Sequence, residues 1–321
     1  MRPVVSIILV SFNTREMLRQ ALASIAENAK GISYEVFVVD NASQDGSAQM
    51  VREEFPQVKL IESSTNIGFA AGNNLAIQKC QGEYVLLFNP DSILSPQTLH
   101  KTVGYMQENR ECGVLGIKLK NEVGVLQPCA RKIPNPWYKF LVISGIAHKF
   151  RHSKLLGGPD YSWWNHSEIR TVGWVVGAYF LIRREVIEKI GHLDERYFLY
   201  FEEIDFCLQN RKAGWQVVFY PHAEVVHIGG QSSANSQEKV SSSGKQLVKF
   251  RVESEFRFYR KNFSTLHVLL AFLVEYFWHK LIILKNRLFS KQNSKNKISH
   301  SQEIIHILKT TLRQDNWGKG R

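Results

Sequence analysis

Residues 4–14 read Val-Val-Ser-Ile-Ile-Leu-Val-Ser-Phe-Asn-Thr. An almost unbroken apolar run, Val4–Val10, ends in Ser11-Phe12-Asn13-Thr14, the pattern of a strand that hands the chain to a helix N-cap. A strand without polar alternation is buried on both faces, as the strands of a parallel sheet are. The run is short and lacks a small-residue cleavage site, so it reads as the first core strand of a cytosolic protein and not as a signal peptide.

Working outward, apolar β-rich runs recur at Glu35–Val39, Val58–Ile61, Tyr84–Phe88 and Gly113–Ile117. Between them lie helix patterns at Arg15–Asn28, Ser47–Phe55, Phe69–Lys79 and Pro96–Asn109. Ser95-Pro96 supplies a cap and a proline for the first helical position, and Gly31 and Gly82 follow helices. Alternating β and α units predict a parallel sheet with helices on both faces and a ligand crevice at the carboxyl ends of its strands. Lys118 to Arg170 is irregular and proline-rich. Regular patterning returns with a strand at Val172–Ile182, helices at Arg184–Ile190 and Glu203–Lys212, and a strand at Trp215–Tyr220. Ser232 to Gly244 reads as a flexible crossing or lid.

The chain has 321 residues with 41 Lys+Arg against 29 Asp+Glu, a formal net charge of +12. Hydrophobic residues make up 44%, which excludes a disordered protein. The four cysteines stand far apart without a C-x-x-C pair, so neither a disulfide scaffold nor a structural zinc site is expected. From Lys245 onward sixteen Lys/Arg face five Asp/Glu, so +11 of the net charge lies in the tail. That tail holds a basic helix pattern, Gln246–Tyr259, and then Leu266, Leu269, Leu270, Leu273, Phe277, Leu281, Leu284 and Leu288 at helical spacing. Its longest uncharged run, Phe263–Val274, is too short to span about 30 Å of hydrocarbon. An oily helix with a basic flank fits an anionic membrane surface; a helical hairpin packed on the preceding α/β domain is the competing reading. Nucleic acid is not expected, because the lysines follow an oily segment and do not interleave with exposed aromatics.

Neither G-x-G-x-x-G after the first strand nor G-x-x-x-x-G-K-[ST] occurs, which removes the main support for a dinucleotide dehydrogenase or a P-loop enzyme. Acidic and amide groups stand at the strand ends instead. Asp40 in Asp40-Asn41-Ala42-Ser43 suits a pyrimidine imide N–H. Asp91 in Asn89-Pro90-Asp91-Ser92 suits Mg²⁺ or Mn²⁺. Both also suit turns and caps. Asn66-Ile67-Gly68 opens a helix and could bring backbone N–H groups to a phosphate, or simply form a turn. An aromatic run, Tyr197 to Phe201, leads into Glu202, Glu203 and Asp205 at a helix start. There the acids either serve the helix dipole or supply a general base. His227 follows a strand and could complete a metal site with Asp91.

The ordered set VDNAS, N-x-G-F-A, FNPD, G-x-L-D-E-R-Y-F-L-Y-F-E-E-I-D and VVHIGG, spanning roughly residues 4–235, closely resembles family 2 glycosyltransferases, and among them the rhamnosyltransferase-type enzymes of bacterial cell-surface polysaccharide synthesis. The resemblance implies a GT-A fold: α/β with a mixed, mainly parallel sheet over residues 1–235, followed by a basic, amphipathic helical region, 236–321. It also implies an inverting, metal-dependent transfer from a nucleoside-diphosphate sugar, dTDP- or UDP-linked, to a glycan or polyprenyl-diphosphate-linked acceptor. Such an enzyme would sit peripherally on the inner face of the plasma membrane.

Carried across, Ser11, Asn13, Asp40, Asn66, Gly68, Asn89 and Asp91 would bind the donor, with Asp91 and His227 at the Mg or Mn ion. Glu203 would be the catalytic base, flanked by Glu202 and Asp205. Arg131, Trp174 and Gly177 would face the acceptor or the diphosphate. Two positions depart from the family pattern. Asn89 stands where many relatives have an Asp, leaving fewer carboxylates for the metal, and Glu203 replaces the commoner Asp, lengthening the base by one methylene.

Overall fold

A computed structural model describes residues 2–228, 240–289 and 293–314. The chain forms two compact units: Met1–Lys132 with Asn165–Val240, and Ile133–Trp164 with Ser241–Arg321. The boundary therefore differs from the expected division after residue 235, because the proline-rich stretch 133–164 belongs with the C-terminal helices.

The first unit is built on a nine-stranded mixed sheet. Its strands are β1 (Val5–Ser11), β2 (Tyr34–Asp40), β3 (Lys59–Glu62), β4 (Tyr84–Phe88), β5 (Ser92–Leu94), β6 (Cys112–Lys120), β8 (Arg170–Thr171), β10 (Tyr179–Arg183) and β11 (Gln216–His227). Two further short strands, β7 (Ala130–Arg131) and β9 (Trp174–Val175), pair only with each other. The helices are α1 (Arg15–Asn28), α2 (Ser47–Glu54), α3 (Phe69–Ile77), α4 (Thr98–Glu108), α7 (Arg184–Ile190) and α8 (Glu202–Lys212), with α5 and α6 falling in the second unit.

The sheet order is β3-β2-β1-β4-β10-β6-β11-β5, with β8 on β11. Every residue of β1 is buried, as its continuous apolar run requires. Strands β3, β2, β1 and β4 are mutually parallel, whereas β10 runs antiparallel between β4 and β6, and β11 is again parallel to β6. The start of β10 consequently lies at the same edge as the ends of β1, β2, β4 and β11.

Two expected elements come out differently. The strand predicted at Val172–Ile182 is broken into β9 and β10, with Val176, Gly177 and Ala178 between them. The cap predicted at Ser95-Pro96 falls instead on Gln97, which takes a left-handed φ of 59° before α4. The suggested lid at 232–244 lies largely outside the described residues.

The second unit contains α5 (Pro136–Ile143), α6 (Ile146–Lys149), α9 (Val240–Asn262), α10 (Thr265–Leu288) and α11 (Ser294–Arg313). Asn135 caps α5 by accepting from the Tyr138 N–H, with Pro136 at the first helical position. A buried ion network ties three of these helices together. Lys139 on α5 pairs with Glu255 on α9 at 2.5 Å and with Glu275 on α10 at 2.6 Å, while Arg251 on α9 also reaches Glu275 at 2.5 Å.

Helix α10 is 24 residues long, and by length and composition alone it could cross a membrane. The expectation that this segment is too short rested on its uncharged run, which Glu275 ends. Glutamate does not interrupt a helix, and the network lets this one be buried on the inner face. All eight apolar residues whose spacing marks this helix in the sequence are exposed, from 41% at Leu269 to 67% at Leu288. The buried positions are Val268, Ala271, Glu275 and Ile283. The oily stripe is thus the outer face of the helix and not its core face.

Burial alone would raise the Glu275 carboxyl, but Lys139 and Arg251 outweigh it and hold the group at about 2. Removing one member of a buried network strands the others, at a cost of about 3–5 kcal/mol. Lys139→Ala is therefore expected to lower Tm clearly. Because the folded value lies below the ordinary 4.5, the stabilisation from Glu275 is complete above that pH and fades as pH falls towards 2. Thermal melts of wild type and variant between pH 2 and 7 should converge at the acid end.

Candidate active site

The site is built where the strand ends converge in the first unit. Ser11 and Asp40 stand side by side as the last residues of β1 and β2. Asp40 is 4% exposed; its Oδ2 accepts from the Ser43 N–H at 3.0 Å, while its Oδ1 is buried without a hydrogen bond. Burial raises this carboxyl. A buried acceptor with one bond unmade is costly, and a base N–H of a bound nucleotide is the kind of donor that would satisfy it.

The other expected donor-side groups are largely engaged with one another. Ser11 Oγ bonds Thr14 Oγ1 at 2.8 Å, Asn13 Oδ1 accepts from the Gln44 N–H at 2.7 Å, and the Asn13 N–H reaches Ser43 Oγ at 2.9 Å. Asn66 Oδ1 accepts from the Gly68 N–H at 3.0 Å and from Asn41 Nδ2 at 2.9 Å. Asn41, not singled out from the sequence, latches this loop further by accepting from the Ile67 N–H at 2.9 Å. These residues shape the two loops around Asp40.

Gly68 joins this region to the acidic segment. Its φ is +87°, and a Cβ there would fall 2.5 Å from the Phe198 carbonyl oxygen, which accepts from the Phe69 N–H at 2.8 Å. Glycine is required both by the backbone angle and by that approach. Beyond Phe198 the chain turns through Tyr200 (φ 69°) and Phe201 (φ 72°) into α8. Two consecutive aromatic residues in the left-handed region are costly, and strain of this kind is held where the surrounding structure demands a particular placement.

The turn delivers Glu202 and Glu203 to the first positions of α8. Each has a buried Oε2 without a hydrogen-bond partner. Burial and then the neighbouring Glu203 charge raise Glu202 well above the ordinary range, and Glu202 shares a hydrogen bond with Glu203. Burial raises Glu203 too, but the Glu202 hydrogen bond and the Arg131 charge pull it back. Both buried carboxyls are thus raised and share one hydrogen bond, and a raised carboxylate is suited to general-base work. Asp205 is buried as well, and one of its contacts is with the Tyr197 hydroxyl at 3.5 Å.

Arg131 and Trp174 lie directly opposite in the β7–β9 ladder, with the guanidinium 5.4 Å from the indole ring centroid. Trp174 Nε1 donates to the Lys132 carbonyl at 3.0 Å. Arg131 is thereby held near Glu203, and Trp174 serves as its platform. Gly177 is buried, yet a Cβ there would meet nothing within 4 Å. It borders open space beside the turn at Asn89, whose N–H donates to the Ala178 carbonyl at 3.3 Å.

Asp91 and His227 come together because β5 pairs antiparallel with β11, aligning Ser92 with His227, and because the Ile228 N–H donates to the Asp91 carbonyl at 3.0 Å. His227 Nε2 then lies 3.5 Å from Asp91 Oδ1, and Asp91 is 2% exposed. Among the described residues no group of three or more His, Cys, Asp or Glu is placed to hold a metal ion. Mg²⁺ and Mn²⁺ at nucleotide sites need fewer, since substrate phosphates and water complete their shell. Ligands about 2.1 Å from one octahedral ion sit ~3 Å apart, so Asp91 and His227 fit a two-residue holder. Gly229 and Gly230 of the histidine motif lie outside the described residues.

A sequence profile described as Glycosyl transferase family 2 matches residues 6–191, more than half of the chain. The chain belongs to this family. It is similar to an N-acetylglucosaminyl-diphospho-decaprenol L-rhamnosyltransferase of Mycobacterium tuberculosis, 28% identical over 249 residues, covering 73% of this chain and 78% of that protein. It is also similar to the rhamnosyltransferase WbbL of Escherichia coli, 23% identical over 273 residues, covering 80% and 97%. Among solved structures, a mannosyltransferase from Pyrobaculum calidifontis in complex with GDP-Man and Mn²⁺ aligns over 98% of this chain and 88% of that one, with a TM-score of 0.55 at 15% identity. GalNAc-T7 with UDP, GalNAc and Mn²⁺ aligns over 80% and 50%, with a TM-score of 0.53 at 14% identity. The expected GT-A fold, mixed and mainly parallel with a helical C-terminal region, is thus the observed one.

Glu202 gives the glycosyltransferase a testable signature. Its carboxyl keeps its proton in the folded state at a pH where the unfolded chain has lost it, so stability falls as pH rises from the unfolded towards the folded value. Glu202→Gln removes that dependence. Its Tm is expected to exceed wild type at pH 8 by roughly 2–4 °C per kcal/mol recovered, with the difference shrinking towards pH 5 in differential scanning fluorimetry.

Proposed function

We propose that the protein is an inverting glycosyltransferase of cell-surface polysaccharide synthesis that moves a sugar, rhamnose from dTDP-rhamnose in the leading reading, onto a glycan or polyprenyl-diphosphate-linked acceptor. One observation carries the reading. A buried carboxylate acceptor (Asp40), a two-residue cation holder (Asp91, His227) and a raised carboxylate pair (Glu202, Glu203) are all set by strand ends and a helix start of a single unit. The relatives named as rhamnosyltransferases favour the sugar, and the one named for a decaprenol-linked diphosphate favours the lipid-linked acceptor.

In this mechanism Asp40 accepts from the donor's base and orients the nucleotide. A Mg²⁺ or Mn²⁺ ion held by Asp91 and His227 would neutralise charge on the departing diphosphate. Glu203 takes the proton from the acceptor hydroxyl as that oxygen attacks the anomeric carbon from the face opposite the leaving group, and single displacement inverts the centre. Glu202 holds its proton and keeps Glu203 buried but ionised, while Arg131, stacked on Trp174, balances the charge of the base. Gly177 leaves room beside the Asn89–Asp91 turn for the sugar or acceptor.

A base of this kind contributes around 10²–10⁴-fold in rate. Purified protein is expected to release nucleoside diphosphate from one member of a nucleotide-sugar panel in the presence of Mn²⁺ and a polyprenyl-diphosphate-GlcNAc acceptor, and Glu203→Gln to lose that release by a similar factor. Preference for a UDP-hexose or UDP-N-acetylhexosamine would replace rhamnose in the reading. Equal donor binding but no role for Glu203 would point to a nucleotide- or glycan-binding scaffold.

The helical unit fits a peripheral place on the cytoplasmic face of an anionic membrane. The outer stripe of α10 is apolar, and Lys280, Lys285 and Arg287 follow its oily half on the same helix. Apolar contact and basic charge add in such binding. Replacing Leu269, Leu273 and Phe277 with Ser is expected to abolish co-sedimentation with phosphatidylglycerol vesicles while leaving Tm near wild type. Unchanged binding would sink the membrane reading.

A further inference from the structure

We infer that Gln127 is a positioning residue that fixes the tautomer of His227 and so presents Nε2 of that ring as a cation ligand. The inference rests on the reading of Asp91 and His227 as the cation holder, and it assigns a role to a residue that no motif marks.

The geometry leaves one assignment of protons. Gln127 makes two bonds to the same residue: its Nε2 lies 2.8 Å from the His227 carbonyl oxygen, and its Oε1 lies 2.7 Å from His227 Nδ1. A backbone carbonyl can only accept, so the amide nitrogen must face it. The amide oxygen is then the atom that faces the ring, and it too can only accept. Nδ1 must therefore carry a hydrogen. In the neutral imidazole this puts the lone pair on Nε2, the nitrogen that stands 3.5 Å from Asp91 Oδ1. Two acceptors facing each other are mutually unfavourable until a cation comes between them, and a ligating histidine that donates its other N–H to a neighbour is the usual way such a ring is oriented.

The fold holds Gln127 in place independently of His227. The chain leaves β6 into a tight turn in which the Gly124 N–H donates to the Asn121 carbonyl and the Val125 N–H to Asn121 Oδ1. Leu126 pairs back with Lys120, and the Gln127 N–H donates to the Leu119 carbonyl at 2.8 Å. On its other side β6 pairs with β11, aligning Leu119 with Val225 and Lys120 with Val226, and the Gln127 side chain reaches across the end of β6 to His227. The amide is thus delivered to the end of β11 by a backbone ladder and does not depend on any ligand.

The test uses the full chain and two readouts besides turnover. In the cation-free wild type, ¹⁵N-histidine NMR is expected to show His227 protonated at Nδ1 and bare at Nε2; a proton on Nε2 with a bare Nδ1 would overturn the inference without any variant. Mn²⁺ titrated by calorimetry, with and without UDP or dTDP, is expected to bind Gln127→Leu 10–100-fold more weakly than wild type, the usual loss when such an outer partner is removed. Gln127→Glu keeps an acceptor at Nδ1 and should retain more affinity than Gln127→Leu. Wild-type affinity in Gln127→Leu, alongside weak binding in His227→Ala, would refute the role of Gln127 and leave the cation site standing. Wild-type Mn²⁺ affinity in both His227→Ala and Asp91→Ala would instead remove the cation reading on which the inference rests.

Discussion

The layout of this chain's candidate site depends on one topological constraint: an antiparallel strand, β10, inserted between β4 and β6. A purely parallel sheet lines its crevice only with strand ends. Reversing one strand brings a strand start, Gly177 to Tyr179, to the same edge as the ends of β4 and β11. The short glycine-containing approach to β10 can then lie beside the Asn89–Asp91 turn without a side chain filling the space. The antiparallel β5–β11 pairing applies the same device once more. It carries His227 across to Asp91, more than a hundred residues away in sequence, and locks the meeting with a backbone hydrogen bond.

Burial at that edge explains why the acids differ in character. Asp40, Glu202 and Glu203 are all raised by loss of water, but their neighbours divide their tasks. Asp40 keeps one oxygen tied to the Ser43 N–H and the other unmatched. Glu202 and Glu203 share one hydrogen bond, and the nearby Arg131 charge lowers Glu203 against the effect of burial. Two adjacent carboxylates cannot both ionise cheaply when buried, so the proposed base, Glu203, stands beside a neighbour that shares its hydrogen bond. The left-handed turn at Tyr200 and Phe201 is the cost of setting both at the start of α8.

Much of the sheet was legible because buried parallel strands have no polar alternation to confuse them: β1, β2 and β4 read directly as apolar runs. The break between β9 and β10 was not, because Val172 to Ile182 is apolar throughout and only the tertiary demand at Gly177 interrupts it. Among candidate residues, Asp40, Asp91, Glu203 and His227 could be singled out because strand ends and helix starts mark them locally. Asn41 and Gln127 could not, since an amide becomes a latch or a ring clamp only through the partner that a distant ladder brings to it. Ser11, Asn13 and Asn66 illustrate the reverse. Their residue types suit ligand binding, but the same polar atoms equally suit local partners: here Ser11 Oγ bonds the Thr14 hydroxyl, and Asn13 and Asn66 accept from loop N–H groups.

The helical unit shows how one periodic signal can carry two meanings. Leucine at helical spacing ordinarily marks the side of a helix that enters the core. On α10 that spacing falls on the exposed side, whereas the inward side carries Val268, Ala271, Ile283 and a carboxylate. A buried glutamate is tolerated only if it is paired, and Lys139 and Arg251 supply the pairs from two other helices. The unit thus buries charge alongside apolar side chains such as Leu141, Phe256 and Leu308, while the outer stripe of α10 is apolar. Under the proposed membrane reading, covering that stripe would be favourable, and the basic residues that follow it would favour an anionic surface.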